Sequence, residues 1–199
     1  EQEISSSLAV YIQSNRSLSF DEFKSSRTNL PYQSYHIPNF GFNPNGAWLF
    51  GTIQNKSSNT EWVMSVAFSQ LDQVDLYLLK NNELVYQKSG GRSQSKHYYR
   101  TPTFKLPLQS EGNYDVYMFV KSERIPLVVP IHLQAEQAFQ GSVLLDYLIW
   151  GAFYGALFLV GLYCIAVLVD KKELSALVLF GLVGLVFLWQ MVWSGHSQL

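Results

Sequence analysis

The chain has 199 residues and a formal net charge of −1, with 14 Lys and Arg residues against 15 Asp and Glu residues. This balance excludes the basic surface that nucleic acids require, so no nucleic-acid partner is predicted. The single cysteine excludes an intrachain disulfide. A polar, aromatic-rich part is followed by an almost wholly apolar part, which predicts two domains, residues 1–138 and 139–199.

Residues 1–138 alternate apolar and polar side chains in short stretches separated by turn residues, as is typical of β-strands. In chain order these stretches are SSLAVYIQ, AWLFGTIQN, EWVMSVAFS, VDLYLLKNNELVYQ, YDVYMFVKS and PLVVPIHLQ. They predict about seven or eight strands, with a short helical turn near Phe20 to Lys24 and a long irregular connection over residues 25–47. The pattern predicts an all-β antiparallel sandwich of the jelly-roll type.

The alternation also predicts which side chains face the core. In EWVMSVAFS it indicates a half-buried strand whose large residues share the core face: Trp62, Met64, Val66 and Phe68. The last two stretches predict core faces of the same kind: Tyr114, Val116, Met118 and Val120, and then Leu127, Val129, Ile131 and Leu133. Asn81 and Asn82 separate two alternating runs and predict a tight hairpin, because asparagine tolerates positive φ.

Residues 139–199 contain two apolar runs that are predicted to span a membrane. The spans cover about residues 145–169 and 174–193, each long enough to cross ~30 Å of hydrocarbon, and neither has a polar face to present to water. Residues 134–146 are predicted to form a helical stalk into the first span. The short loop between the spans contains Lys171 and Lys172, so the positive-inside rule predicts that this loop is cytoplasmic and the N-terminal domain is outside.

This orientation requires export, and we expect that a targeting segment was removed before Glu1. In the first span Gly151 and Gly155 form a GxxxG pair, which predicts a smooth surface on which another helix packs closely. Glycine is also common in membrane helices in general, and this alternative stays open. Two spans with so short a cytoplasmic loop indicate either a minimal anchor or the front part of a larger membrane domain.

The stretch AWLFGTIQNKSSNTEWVMSVAFSQLDQVDLYLL resembles the second type of extracellular sensor domain of bacterial seven-transmembrane receptors with diverse intracellular signalling modules. The similar features are the tryptophan of WLFGTIQN, the NKSS turn, the run LDQVDLYLL into a hairpin, and the later HYYRTPTF. The stretch GAFYGALFLVGLY is similar to the opening of that family's first membrane helix. The chain departs from the family at Tyr163-Cys164, where Tyr-Asn is frequent, and after Asp170.

The resemblance implies a periplasmic jelly roll that senses carbohydrate or another small ligand, above seven helices in the lipid of a bacterial inner membrane. A histidine kinase, diguanylate cyclase or similar module would follow in the cytoplasm, and the chain would then hold the sensor and the first two spans. Pairing into a homodimer is left open. The alternative is a membrane-anchored carbohydrate-binding or adhesion module without a signalling output.

The stretch KHYYR, residues 96–100, is the predicted ligand-binding segment, because a sugar binds aromatic rings and planar hydrogen-bonding groups. His97, Tyr98, Tyr99 and Arg100 offer both, and Tyr35 in the long connection would complete the rim of the site. In the alternative, one tyrosine packs inward and Arg100 pairs with a carboxylate. The aromatic residues of the connection would then hold it against the sandwich.

Catalysis is not predicted, and no cofactor or metal is expected. The histidines lie far apart in the sequence, and no metal-ligand spacing, GxSxG elbow or glycine-rich phosphate loop is present. Carboxylate pairs such as Asp72 and Asp75 leave acid–base work on a sugar as an open alternative. Trp48 and Trp62 lie within strand patterns and are predicted to be core residues rather than sugar-binding plates.

Overall fold

The computed structural model describes residues 2–3, 9–12, 18–26, 33–34, 39–93, 99–171 and 173–194. They fall into two compact units that meet between Glu136 and Gln137. The first unit consists of β-strands and one short helix, and the second consists of two long helices.

The described part of the first unit contains ten strands: β1 Gln2–Glu3, β2 Ala9–Ile12, β3 Gln33–Ser34, β4 Ala47–Gln54, β5 Glu61–Val66, β6 Gln73–Lys80, β7 Glu83–Gly90, β8 Thr103–Pro107, β9 Asn113–Lys121 and β10 Ile131–Ala135. The four-stranded sheet has the order β1-β10-β5-β8, and the six-stranded sheet has the order β3-β2-β4-β9-β6-β7. All neighbouring strands are antiparallel. The predicted antiparallel sandwich is confirmed.

The main core lies between the two sheets and takes alternate side chains from strands of both sheets. The four-stranded sheet contributes Met64, Val66, Phe104, Leu106, Ile131 and Leu133, and the six-stranded sheet contributes Val10, Leu49, Val74, Leu76, Val116 and Met118, among others. The core faces predicted for β5, β9 and the stretch that ends in β10 are confirmed. They follow from the two-residue period, which sends successive side chains to opposite faces of a strand.

The hairpin between β6 and β7 is also confirmed. Asn81 and Asn82 have φ values of 52° and 67°, which the primed two-residue turns of antiparallel hairpins require. The pairing register shifts between Leu78 and Leu79, so this ladder carries a bulge close to the turn.

A second apolar cluster lies on the outer face of the six-stranded sheet and is covered by the helix α1, Phe20–Ser26. The ring of Phe23 stacks on Trp48 at a centroid distance of 4.8 Å, and Phe20 stacks on Tyr77 at 4.2 Å. The Trp48 indole N–H donates to the carbonyl of Leu18 at 3.2 Å. Trp48 is therefore a core residue, as predicted, but its core is this second cluster rather than the space between the sheets.

The helix α1 starts where its sequence predicts, because Ser19 and Glu22 form a capping box. The backbone N–H of Ser19 donates to the Glu22 carboxylate at 2.9 Å, and the N–H of Glu22 donates to the Ser19 hydroxyl at 3.4 Å. Burial of Phe23 against the sheet then holds a helix that is too short to be stable alone.

Two details differ from the sequence-based expectations. Strand β5 is not half-buried, because Val63 and Ser65 on its outer face are buried as well. The strand is central in its sheet, and the register places Val63 between Gln134 and Lys105 of the flanking strands. The long connection over residues 25–47 is also not wholly irregular, since it contains β3 and an isolated bridge between Asn39 and Val128.

The second unit contains α2, Glu136–Lys171, and α3, Leu174–Trp193. Both helices are long and apolar enough to cross a membrane, with mean hydropathies of 2.4 and 2.2. They pack on each other where Gly161 leaves room for the ring of Phe180 and where the rings of Tyr154 and Phe187 meet at 5.3 Å. The predicted stalk, residues 134–146, is helical only from Glu136, because Gln134 and Ala135 belong to β10; from Glu136 the stalk and the first predicted span form one continuous helix.

Candidate ligand-binding site

A polar cavity of about 330 Å³ lies at the end of the six-stranded sheet where β6 begins and where β7 and β9 end. Its volume is at the lower end of the range of small-molecule sites, ~300–1,000 Å³. Its described lining is polar and largely charged: Asp72, Gln73, Arg92, Ser93, Lys121, Glu123 and Arg124. We call this the strand-end cavity.

Asp72 joins the three chain segments that form the strand-end cavity. Its backbone N–H donates to the carbonyl of Lys121 at 3.1 Å, and its own carbonyl accepts the N–H of Ser93 at 2.9 Å. Its carboxylate accepts the backbone N–H of Glu123 at 2.8 Å. The backbone of the cavity is thus held by hydrogen bonds before any ligand arrives, which reduces the ordering cost of binding.

The close approach of these segments depends on Gly91. This residue has a φ of +97°, a conformation that side chains disfavour. A Cβ at this position would lie 2.8 Å from the Asp72 carbonyl oxygen and 3.0 Å from the Gln73 Cα. Only glycine therefore allows the chain after β7 to run against the start of β6.

The charges of the strand-end cavity are only partly paired. The Lys121 ammonium contacts the Glu123 carboxylate at 2.7 Å. The hydrogen bond and charge of Lys121 hold the pKa of the Glu123 carboxyl below its ordinary value, and the charge of Arg124 adds to this effect. The Arg92 guanidinium donates to the side-chain oxygen of Gln70 at 3.0 Å. Each carboxylate thus has a partner within the protein, and the arginines keep N–H donors for a ligand.

The structure describes only part of the predicted ligand-binding segment. His97, Tyr98 and Tyr35 lie outside the described residues. Tyr99 and Arg100 are half-buried just before β8, and neither lines the strand-end cavity. A ligand-binding role for these residues stays a prediction.

Tyr99 lies close enough to Lys105 of β8 to affect its pKa. A hydrogen bond and the charge of Glu136 raise the pKa of Lys105, and Tyr99 contributes more weakly. This contact between Lys105 and Glu136 links β8 to the first residue of α2.

The sequence contains a signal for the strand-end cavity that lies outside its local motifs. The polar stretches QLDQ, GGRS and KSER stand respectively before β6, after β7 and after β9. In an antiparallel sheet the start of one strand lies beside the ends of its two neighbours. The three stretches therefore converge only when β6 lies between β7 and β9, and that strand order is a tertiary fact.

In the second unit, Gly151 and Gly155 lie on an exposed side of α2, where an added Cβ would meet no atom within 4 Å. An apolar groove of about 310 Å³ runs between α2 and α3. Lys171 ends α2, and Lys172 lies outside the described residues. The packing role of the glycines and the topogenic role of the lysines stay predictions.

The described residues contain no group of three or more His, Cys, Asp or Glu side chains that is placed to hold a metal ion. Asp75, which the sequence paired with Asp72, is buried within β6 and accepts a hydrogen bond from Gln73 at 2.5 Å.

Comparison with known proteins identifies the first unit. Residues 5–135 match the family described as 7TMR-DISM extracellular 2. No curated protein matches the chain.

Two solved structures are similar at low identity. A β-glucosidase from Kluyveromyces marxianus is 16% identical with a TM-score of 0.35, and the match covers 64% of this chain but only 16% of that one. TmCBM61 in complex with beta-1,4-galactotriose is 11% identical with a TM-score of 0.34, over 56% and 77% of the two chains.

Proposed function

The chain belongs to the 7TMR-DISM extracellular 2 family, and on this premise we propose that its sandwich is the ligand-sensing part of a bacterial transmembrane signalling receptor. The observation that carries the proposal is the order of the parts. The family match ends at residue 135, and two helices long and apolar enough to cross a membrane follow directly.

In this proposal the sandwich lies in the periplasm and the two helices lie in the bacterial inner membrane. Lys171 and Lys172 place the loop between the helices in the cytoplasm. The output, a kinase, a cyclase or a similar module, belongs to the cytoplasmic part of the complete receptor. In the chain α2 follows strand β10 directly, so the proposed sensor is joined to the first membrane helix without a loop.

The orientation predicts which residues an impermeant reagent reaches. In a Cys164→Ala background, Ser58→Cys is expected to react with a membrane-impermeant maleimide in intact spheroplasts, because the loop between β4 and β5 would face the periplasm. Asp170→Cys is expected to react only after lysis. Both lysines remain in this variant, so the topology signal is preserved. Labelling of Asp170→Cys in intact spheroplasts would contradict the proposed orientation.

We place ligand binding in the strand-end cavity, because it combines a suitable volume with charged and polar groups on a hydrogen-bonded frame. The predicted segment His97 to Arg100 follows Ser93 of the cavity closely in sequence. A small polar ligand, carbohydrate included, is the class that this lining suits.

Ligand sensing predicts a rise in thermal stability for the purified full chain in an uncharged detergent. The panel contains neutral sugars, uronic acids and amino acids. A compound at ~100 times its dissociation constant is expected to add ~2.7 kcal/mol to the free energy of unfolding. The control is Lys56→Gln, an exposed residue beyond the opposite end of β9, which should leave the shift unchanged. The absence of a shift with every compound would contradict ligand binding by this domain.

A further inference from the structure

The strand-end cavity has an excess of cationic donors. Its described lining contains the cations Arg92, Lys121 and Arg124 and the carboxylates Asp72 and Glu123. The Asp72 carboxylate accepts a backbone N–H at 2.8 Å, and the Glu123 carboxylate contacts Lys121 at 2.7 Å. Both negative groups are thus engaged within the protein.

The two arginines keep most of their N–H donors. One Arg92 nitrogen donates to Gln70 at 3.0 Å, and a guanidinium carries five N–H donors in a fixed fork. Arg124 contributes its charge to Glu123 and, within the described part of the chain, donates no hydrogen bond. Guanidinium forks bind carboxylates in a bidentate manner, and such charge-assisted bonds are about twice as strong as neutral ones.

The rest of the lining indicates that the ligand is also polyhydroxylated. Ser93 and Gln73 add neutral hydrogen-bonding groups, and the volume of about 330 Å³ exceeds the needs of a bare inorganic anion. The described residues that line the cavity include no aromatic ring against which a neutral sugar could stack.

We propose that the strand-end cavity binds the carboxylate of a sugar acid, with Arg92 and Arg124 as its anchors. This inference rests on the proposed ligand-sensing function and names the ligand class for the same site. The carboxylate belongs either to a free uronic acid or to a uronic residue within an oligosaccharide, and the chemistry of recognition is the same for both.

The test is calorimetric titration of the full chain, in uncharged detergent micelles, with galacturonate, trigalacturonate, galactose and acetate. Galacturonate is expected to bind at least tenfold more tightly than galactose, and acetate is expected to bind more weakly than galacturonate because it lacks the hydroxyl groups. Trigalacturonate that binds more tightly than the monomer identifies an oligosaccharide as the source. The affinity for galacturonate is expected to fall as salt is raised.

The variants Arg124→Gln and Arg92→Gln are each expected to weaken galacturonate binding at least tenfold. The affinity of Arg124→Lys is expected to lie between those of Arg124→Gln and the unchanged chain, because lysine keeps the charge but lacks the planar pair of N–H donors. Lys56→Gln removes the same charge beyond the other end of β9 and should have no effect. Arg124 is exposed, so an unchanged melting temperature will show that its replacement leaves the fold intact.

Three results would overturn the inference. The first is galactose binding as tight as galacturonate binding. The second is unchanged galacturonate binding by Arg124→Gln together with Arg92→Gln. Either result leaves the proposed ligand-sensing function in place, because a ligand still binds. A chain that binds no galacturonate also overturns the inference, and only failure of the whole thermal-shift panel removes the broader function as well.

Discussion

Replacement of Trp48 by alanine is expected to lower the free energy of unfolding of the sandwich by about 3–5 kcal/mol. Trp48 is 2% exposed and lies at the centre of the cluster beneath α1, between the rings of Phe23 and Phe119. Its removal leaves a cavity that these rings cannot fill, and it deprives the Leu18 carbonyl of the indole N–H. The melting temperature, followed by β-sheet circular dichroism, should fall by roughly 10–15 °C.

A matched control is Leu84→Ala on β7, whose side chain is 49% exposed and whose loss should change stability by less than ~0.5 kcal/mol. Trp48→Phe keeps a ring in the cluster and should recover much of the stability. The alternative, in which Trp48 is a sugar-binding plate, predicts the opposite pattern. In that case Trp48→Ala would abolish sugar binding and leave the melting temperature nearly unchanged.

Replacement of Gly91 by alanine is expected to destabilise the sandwich by about 2–5 kcal/mol and to weaken ligand binding in the strand-end cavity at least tenfold. A φ of +97° costs a side-chain-bearing residue about 1–2 kcal/mol, and the overlap with backbone atoms of Asp72 and Gln73 adds about 1–3 kcal/mol. Because those atoms belong to the backbone, relief of the overlap moves the segment that carries the Asp72 carboxylate.

Gly41→Ala separates the two contributions. Gly41 also has a positive φ, of 61°, but an added Cβ there would meet no atom within 4 Å. This variant should show the conformational cost of about 1–2 kcal/mol without any effect on binding. Thermal melts and galacturonate titrations of both variants provide the comparison. Equal stability losses in the two variants, with ligand binding intact in Gly91→Ala, would show that the close approach at Gly91 does not shape the site.

Local patterns in the sequence predicted the core between the sheets well. The core faces of β5 and β9 follow from side-chain alternation, and the hairpin follows from Asn81 and Asn82. Burial of side chains on the outer face of the six-stranded sheet was harder to predict. Trp48 and Tyr117 alternate with main-core residues as solvent-facing side chains would, and only the docking of α1 buries them.

The ligand site was less predictable than the fold. The sequence motif KHYYR combines aromatic and cationic residues within five consecutive positions, so it is visible in the sequence alone. The strand-end cavity instead takes Asp72, Arg92 and Arg124 from three separate turns, and no single turn has a composition typical of a binding site. Their convergence depends on β6 lying between β7 and β9.

By itself the sequence determined the fold class of the first unit, the side chains that face its main core and the presence of two apolar helices. These features depend on local periodicity and on the length of uncharged runs. Only the tertiary structure decided the strand order, the burial of the Trp48 cluster beneath α1 and the strand-end cavity. These features join residues far apart along the chain, and their formation depends on which strands pair and which surfaces remain to be covered. Strand pairing is a global choice among alternatives of similar local energy, so short stretches of sequence do not reveal it.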